Sequence, residues 1–492
     1  MTENSSLIPI LSSFAGTRVL CVGDLILDCY ISGEVERISP EAPVPVLRIG
    51  NEKEMLGGVG NVARNLAGLG GSLSLVALIG NDRAGDAVKD QIAMLGNAET
   101  FLVVEDGRPT AIKTRYLAGN QQILRADREL IGQVPLETGD EIISGAKAEI
   151  KNHCALVLSD YGKGVLQAGR AGELIQAAKD LGVPVIVDPK GADYGIYAGA
   201  DLVTPNRKEL AEATGMAVNS VGAATEAATG LMRQHGFGAV LVTMSGDGMV
   251  LVTDHTSLHV PANAREVFDV SGAGDTVVAT LAGALAAGAG LADAVRLANV
   301  AAGIVVGKVG TAAVYMTEVV AALHHQEIFR AEAKVMTWDE SRDRADIWRR
   351  QNLKVGFTNG CFDLLHPGHV SLLAQARATC DRLVVGVNSD GSVTRLKGEG
   401  RPVQSEVGRA TVLASLSSVD LVVIFAEDTP LELIETLRPD VLIKGADYTK
   451  ADVVGAEEVE GWGGRVHLAD LEPGHSTTAT IQYLSEGDSD PS

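Results

Sequence analysis

Two short stretches carry side chains able to do chemistry. In "DVSGAGDTVVATLAG", residues 269–283, Gly272 and Gly274 permit close backbone approach, and an uncharged helical run follows. The amides of Gly272, Ala273 and Gly274 would point at whatever occupies the helix N-terminus, an anion site. Asp275 would stand in the first turn, where a carboxylate can take the proton of a substrate hydroxyl. Phosphoryl transfer needs this pair of parts. A carboxylate that merely stabilises the helix start would look the same. In "GCFDLLHPGH", residues 360–369, His366 and His369 lie three apart around Pro367, a residue suited to the first helical position. Both rings can then face one ligand at the positive helix end, suiting charge that develops on a leaving pyrophosphate. A structural pair or a metal site also fits this spacing, although no Cys or third His nearby completes a ligand set.

The elements that must position these groups alternate along the chain. From Arg18 to about Val314, β-branched runs such as "TRVLCVGD", "LVLSDYG", "VPVIVDPK" and "AVLVTMS" alternate with Ala- and Leu-rich stretches. The pattern predicts βαβ units on a mostly parallel sheet. "VPVLRIG" alternates as a half-exposed strand would and fits a flap over the sheet edge. Residues 326–350 are charged and helix-prone, and are expected to form a linker between a first domain, 1–325, and a second, 351–492. In the second, "LKVGFTNG", "RLVVGVNSD", "LVVIFAED" and "DVLIKGAD" predict a smaller Rossmann-like unit. Its acidic tail, "SEGDSDPS", is expected to be disordered.

Composition sets bounds. With 492 residues, 46% hydrophobic and 21% charged, the chain can bury more than one core. A formal charge of −22 argues against a nucleic-acid partner but permits small anionic substrates. Five scattered cysteines fit neither a zinc site nor a disulfide framework, so a reduced, cytoplasmic setting is expected. The opening segment has no basic n-region, and no signal peptide is expected. The run at 276–292 is short for a bilayer and bracketed by Asp275 and Asp293; a buried helix is expected, and no membrane span.

"GGVGNVARNLAGLG", residues 57–70, adds a glycine turn before a helix, with Asn61 available to sugar hydroxyls. Together with the Asp275 stretch it resembles the paired signatures of the ribokinase-like (PfkB) sugar kinases. That resemblance spans about 20 to 315. It implies Asp275 as catalytic base, Gly272 to Gly274 as anion hole, and Asp24, Gly57, Gly58 and Asn61 at the sugar. It also places Asn206, Arg207, Lys208 and Glu209 in the nucleotide and magnesium region, with Glu209 toward Mg²⁺, and Ser245 and Gly246 near the ATP. Ser271 stands where many relatives have Thr. The His366 segment resembles the HxGH signature of the cytidylyltransferase-like nucleotidyltransferases over about 353 to 485. In that likeness Ser476, Thr477 and Thr478 of "GHSTTATI" form the second phosphate-binding element. Thr358, Phe362, Lys397 and Lys444 join the nucleotide site. Glu472 and Pro473 stand where the glycerol-phosphate branch has an Arg-Thr pair, which disfavours a CTP-using glycerol enzyme.

The segments "RISPEAPVPVL", "SDYGKG", "VGKVGT", "LKGEGRPV" and "KGADY" occur in that order. The whole chain is similar to the bifunctional heptose 7-phosphate kinase/heptose 1-phosphate adenylyltransferases of lipopolysaccharide-core synthesis. The resemblance implies two ATP- and Mg²⁺-dependent steps, phosphorylation at C1 and adenylylation to ADP-heptose. It implies a separate heptose bisphosphate phosphatase between them, and a homodimer through the kinase half is compatible with it. The alternatives are a fusion acting on another sugar or polyol phosphate, and an inactive scaffold.

Overall fold

A computed structural model describes residues 7–119, 121–130, 133–262, 267–308, 310–446 and 448–470. The chain divides into two compact units between Leu323 and His324.

The strands of the first unit are β1 (Arg18–Gly23), β2 (Leu25–Ile38), β3 (Pro45–Gly58), β4 (Ser72–Gly80) and β5 (Ala98–Glu105). They continue with β6 (Ala111–Ala118), β7 (Gln121–Arg128), β8 (Ala155–Ser159) and β9 (Val185–Asp188). β10 (Leu202–Val203), β11 (Ala239–Thr243), β12 (Met249–Thr253) and β13 (Ser257–Val260) complete them. Nine form one sheet in the order β13-β12-β11-β10-β9-β8-β1-β4-β5. All its neighbours are parallel except β11–β12 and β12–β13. Its central strands read as nearly unbroken apolar runs because both faces are covered. Val19, Cys21 and Val157 enter one core, and Leu20, Val22, Leu156 and Leu158 the other.

The chain reverses direction of travel across the sheet at β1, which has β8 on one side and β4 on the other. Such switch points open a crevice at the carboxyl ends of the strands. The expected flap is a second sheet, β3-β2-β6-β7, with β2 and β6 parallel. The helix Ala273–Ala286 is apolar on every side and therefore lies inside the unit, with Asp275 through Ala284 buried. Phe14 packs where Gly283 lacks a side chain. Among the described residues no helix is long and apolar enough to cross a membrane.

The second unit contains β14 (Val335–Met336), β15 (Val355–Gly360), β16 (Arg382–Asn388), β17 (Leu421–Phe425), β18 (Val441–Gly445) and β19 (Arg465–Ala469). They form one parallel sheet in the order β14-β17-β16-β15-β18-β19. Its switch point lies at β15, between β16 and β18. Two cores cover its faces, one built on Leu373, Leu413 and Ile443, the other on Phe357, Phe425 and Leu442.

The linker expected at 326–350 is corrected here. A helix spans Met316–Glu332, but β14 pairs with β17, and the helix Trp338–Arg350 packs on the sheet. Thr337 caps that helix in a reciprocal box with Glu340, Trp338 Nε1 donates to Ile424 O at 3.0 Å, and Ala345 and Trp348 are buried. The segment reads as charged because only one stripe of the helix faces the core.

The division predicts that residues 1–323 and 333–492 fold as separate pieces. A piece starting at residue 345 instead of 333 loses β14 and the Trp338 anchor. Urea denaturation should show it destabilised by about 3 kcal/mol or more, the scale of a large buried aromatic deletion. Equal stability of the two versions would contradict the assignment of 335–344 to this unit.

Candidate active sites

In the first unit the two halves of the sequence signature meet. Gly272 begins the helix at φ 77°, and a Cβ there would sit 2.5 Å from Asn61 Nδ2. Only glycine lets Asn61 pass. Asn61 Nδ2 then donates to Asp275 Oδ2 at 2.7 Å, and Tyr161 Oη donates to Oδ1 at 2.8 Å. Asn61 is itself held: Arg64 Nη2 donates to its Oδ1 at 2.8 Å, and Asn65 Nδ2 to its backbone oxygen at 2.8 Å. Asn65 Oδ1 accepts from Thr276 Oγ1 and from Val314 N–H. Gly274 is exposed with open space beside it, and Ala273 N–H turns back on Val270 O at 3.3 Å. The room for an anion is therefore at Gly274.

Burial pushes the Asp275 carboxyl up to about 6, opposed by the Asn61 and Tyr161 hydrogen bonds. Asp28 adds to the rise and Lys113 opposes it. A buried carboxylate with two donors and a pKa near 6 remains ionised at neutral pH yet can accept a proton, as a general base must.

Asp24, expected at the sugar, has a structural task within the protein. Its carboxylate accepts backbone N–H groups of Tyr161 (2.8 Å), Lys163 (2.8 Å) and Val165 (3.2 Å). It fixes the loop that carries Tyr161. Desolvation, then Asp160, raise its pKa to about 6. The carboxylate nearer the Gly57–Gly58 turn is Asp28: a Cβ on Gly57 would lie 2.2 Å from its Oδ2. Asp28 accepts from Arg115 Nη1 at 2.5 Å. Gly58, at φ 58°, donates no side chain and lets Val59 N–H reach Asp24 O at 3.0 Å.

On the other side of the helix N-terminus, Asn206 and Glu209 form a capping box for the helix Arg207–Thr214. Glu209 Oε1 also accepts from Lys190 Nζ at 3.0 Å. Arg207 pairs with Asp247 and donates to Met244 O, so the two expected nucleotide segments are tied together. Lys208 points to solvent beside Glu212. Ser245 takes a left-handed φ of 53°, and Gly246 opens into free space. Asp188, at the end of β9, has its carboxyl held well above the usual range by burial, then by Asp275 and Glu209.

In the second unit His366 is the N-cap of the helix Pro367–Ala378, and His369 lies one turn on. Their rings stack with centroids 3.8 Å apart, and Phe362 meets His369 edge-on at 5.2 Å. Burial, then His366 and Lys397, push the His369 imidazole down to about 4. Phe362 is buried at φ 46°, a conformation that only surrounding structure sustains in a residue with a side chain.

That surrounding structure is a set of buried ties. Arg409, fully buried, donates to Cys361 O (2.5 Å), Asp390 Oδ1 (2.7 Å) and Gln404 O (3.1 Å). Asp363 pairs with Arg401 and accepts Val403 N–H at 2.6 Å. Thr358 is sealed in β15 with its hydroxyl lacking a partner among the described residues. Lys444, in β18 beside β15, donates to Asn359 O at 3.2 Å. Ser476, Thr477 and Thr478 lie outside the described residues.

The sequence reading missed Asp28, Lys113, Arg115 and Tyr161 in the first unit and Asp363 and Arg409 in the second. One signal was present: in "GDLILD", Asp24 and Asp28 lie only four residues apart, so either could have been the carboxylate at the sugar.

Comparison with known proteins agrees with both halves. The pfkB family of carbohydrate kinases matches residues 16–318, and the cytidylyltransferase-like family residues 357–481. In fold, the first unit is similar to a ribokinase of Arabidopsis thaliana (TM-score 0.50, 20% identity, 62% of this chain and 98% of that one). It is also similar to phosphofructokinase-2 of Escherichia coli (TM-score 0.53, 21% identity, 63% and 98%). The bifunctional protein HldE of Paramagnetospirillum magneticum is 58% identical over 99% of this chain and 100% of its own length. That of Rhodospirillum rubrum is 55% identical over 99% and 98%. With a pfkB carbohydrate kinase unit, a cytidylyltransferase-like unit and end-to-end identity of this order, the chain belongs to the bifunctional HldE family.

Proposed function

We propose that the first unit transfers the γ-phosphoryl group of ATP to the C1 hydroxyl of D-glycero-β-D-manno-heptose 7-phosphate. The second then joins AMP from another ATP to heptose 1-phosphate, giving ADP-heptose and pyrophosphate for lipopolysaccharide core. The observation that carries the kinase reading is the buried Asp275 carboxylate, aimed by Asn61 and Tyr161 at the N-terminus of an apolar helix. Asp275 takes the hydroxyl proton as the oxygen attacks phosphorus, and the helix N-terminus at Gly274 faces the charge of the moving group. Full-length identity to bifunctional relatives favours this pair of reactions over a fusion acting on another polyol.

His366 and His369 stand at the carboxyl end of β15, the switch point of their sheet. Burial keeps His369 neutral, so it offers an N–H to phosphate oxygens. A polyphosphate's negative charge offsets the repulsion that His366 and Lys397 exert on His369, which suits the pair to hold a leaving pyrophosphate.

Among the described residues no group of three or more His, Cys, Asp or Glu converges as a metal cage. Mg²⁺ needs no such cage, because substrate phosphates and water fill most of its octahedron. Asp188 and Glu209 fit the protein's share: burial, then the neighbouring Asp275 and Glu209, hold the Asp188 carboxyl well above its usual range, and a bound cation would offset that unfavourable setting for its ionised form. Bound there, magnesium would neutralise phosphate charge.

Kinase and transferase products also differ in phosphate count. The kinase yields a 1,7-bisphosphate and the transferase takes the 1-phosphate, so a separate phosphatase acts between them. Purified protein with heptose 7-phosphate, ATP and Mg²⁺ should accumulate bisphosphate, followed by mass, and form ADP-heptose only when a phosphatase is added. ADP-heptose without it would overturn the assigned substrate of the second unit.

Asp275→Asn should lower kinase turnover by a hundredfold or more, on the order of a lost general base, and spare adenylyl transfer. His366→Ala and His369→Ala should do the reverse. Wild-type kinase activity in Asp275→Asn would remove Asp275 from the role.

The same residue sets a pH dependence. Kinase kcat/KM should fall below pH about 6, as Asp275 takes up a proton. Stability runs the other way. A carboxyl raised in the folded state contributes stability below its unfolded pKa, and that contribution is lost as pH rises through about 6. Ionised Asp275 thus costs on the order of 3 kcal/mol at pH 8. Asp275→Asn should therefore raise the melting temperature of the first unit at pH 8, measured by calorimetry, while abolishing turnover.

A further inference from the structure

A lysine stands inside the acidic group at the carboxyl end of β9. Lys190 follows Asp188 closely in the chain, and its Nζ donates to Glu209 Oε1 at 3.0 Å. The Asp188 carboxyl feels the charges of Asp275, Glu209 and Lys190, so among these four groups three are acids and one is a cation. The cations of the neighbouring nucleotide segments are committed elsewhere: Arg207 to Asp247 and Met244 O, Lys208 to solvent beside Glu212.

Lys190 is fixed at its backbone and free at its head. Its N–H donates to Tyr197 Oη at 3.1 Å, and that hydroxyl donates to the buried Asp160 at 2.6 Å. The side chain is 51% exposed, so its ammonium has room to turn. Its Cγ lies 3.8 Å from where a Cβ on Gly162 would stand, beside the Tyr161 that donates to Asp275. Glu209 has a second anchor of its own, because its Oε2 accepts Asn206 N–H at 3.1 Å.

A γ-phosphoryl group brought between Gly274 and these carboxylates meets like charge, and its transfer needs cations around it. Lys190 cannot share Glu209 Oε1 with a divalent cation, since the two positive charges repel. We propose that Lys190 is a catalytic residue of the kinase, holding Glu209 in the free enzyme and exchanging that carboxylate for γ-phosphoryl oxygens when metal and nucleotide bind. An ammonium suits the exchange because its three donors rotate on a flexible stem, whereas an arginine's planar fork matches the carboxylate and stays on it. In the transfer, the bond from sugar oxygen to γ-phosphorus forms as the bond from phosphorus to the bridging oxygen breaks. The electron pair leaves with ADP, the hydroxyl proton goes to Asp275, and Lys190 keeps its protons and pairs with the moving charge. The inference rests on the kinase reading and on Glu209 as part of the magnesium share.

The test compares full-length wild type, Lys190→Met and Lys190→Arg. With heptose 7-phosphate, ATP and Mg²⁺ at saturation, Lys190→Met should lower kinase kcat about a hundredfold, the scale of one lost transition-state contact, and leave the sugar KM unchanged. Excess Mg²⁺ should not restore the loss, and Lys190→Arg, which keeps the charge, should fall between the two. Mn²⁺ titration of the free proteins, followed by electron paramagnetic resonance, gives a reading without turnover. Lys190→Met should bind Mn²⁺ about fivefold more tightly than wild type, the scale of one exposed ion pair that no longer competes. Near wild-type kcat, or recovery of kcat at high Mg²⁺, would overturn the phosphate contact and leave Lys190 as a prop for Glu209. Unchanged or weaker Mn²⁺ binding would overturn the exchange. A wild type that phosphorylates no sugar phosphate would refute the kinase reading itself, and this proposal with it.

Discussion

An ionised carboxylate kept out of water at the start of an apolar helix governs the architecture of the first unit. Burying such a charge is expensive, and its two hydrogen bonds with the helix N-terminus return only part of the cost, which is why the Asp275 pKa stays raised. Each compensating group has its own support. Asn61 reaches Asp275 only because residue 272 has no side chain, and it is steadied by Arg64 and Asn65. Tyr161 is in place because Asp24 collects three amides of its loop. Asn65 in turn fixes Val314, and Tyr30 of the flap accepts the Thr311 N–H at 3.1 Å. The end of β1, the helix Val59–Gly68, the flap and the 310–314 segment are thus all answerable to one carboxylate. That the protein keeps a destabilising group inside such a network is the usual relation between strain and function.

The second unit solves the converse problem. Its chemistry needs groups able to meet a polyphosphate, and it buries bases rather than an acid. Desolvation lowers His369 as it raises Asp275, so the imidazole is neutral before the ligand arrives while the carboxylate stays ionised but more basic than usual. The supports are again buried and polar, with Arg409 and Asp363 joining the 361–363 loop to the 390 and 401–404 segments. A guanidinium spreads five donors over three nitrogens in one rigid plane, so Arg409 reaches three separated acceptors, where an ammonium offers three rotating donors from a single atom. This is how Phe362 is held at positive φ against His369.

Fold and catalytic groups were legible to different degrees for physical reasons. Buried parallel strands write unbroken β-branched runs, so both sheets could be read, and an uncharged helix of Ala and Gly too short for a bilayer could be read as buried. Asp275 and the histidine pair were visible because a helix N-terminus has local spacing rules. The segment 335–350 was misread because a helix with one apolar stripe, here Trp338, Ala345 and Trp348, carries the composition of a linker. Asp28 went unnoticed beside Asp24 because the two lie four residues apart in one segment, and only the fold shows that loop amides occupy the first. Lys113, Arg115 and Tyr161 were invisible because they reach the site across β2–β6 and from β8, separations that no local pattern records.

Net charge and site charge act on different scales, which reconciles a chain of −22 with two polyanion-binding units. Exposed acids farther than a Debye length, about 8 Å at physiological ionic strength, are screened from a bound phosphate. Half-buried cations and helix amides within a few ångströms are not. The long-range field therefore discourages nucleic acid and other extended polyanions, whose affinity comes from many distributed contacts. A compact phosphate at the N-terminus at Gly274 would experience the local field alone. The acidic exterior then acts as a filter, and a few positive groups inside it suffice to hold a small phosphate-bearing ligand.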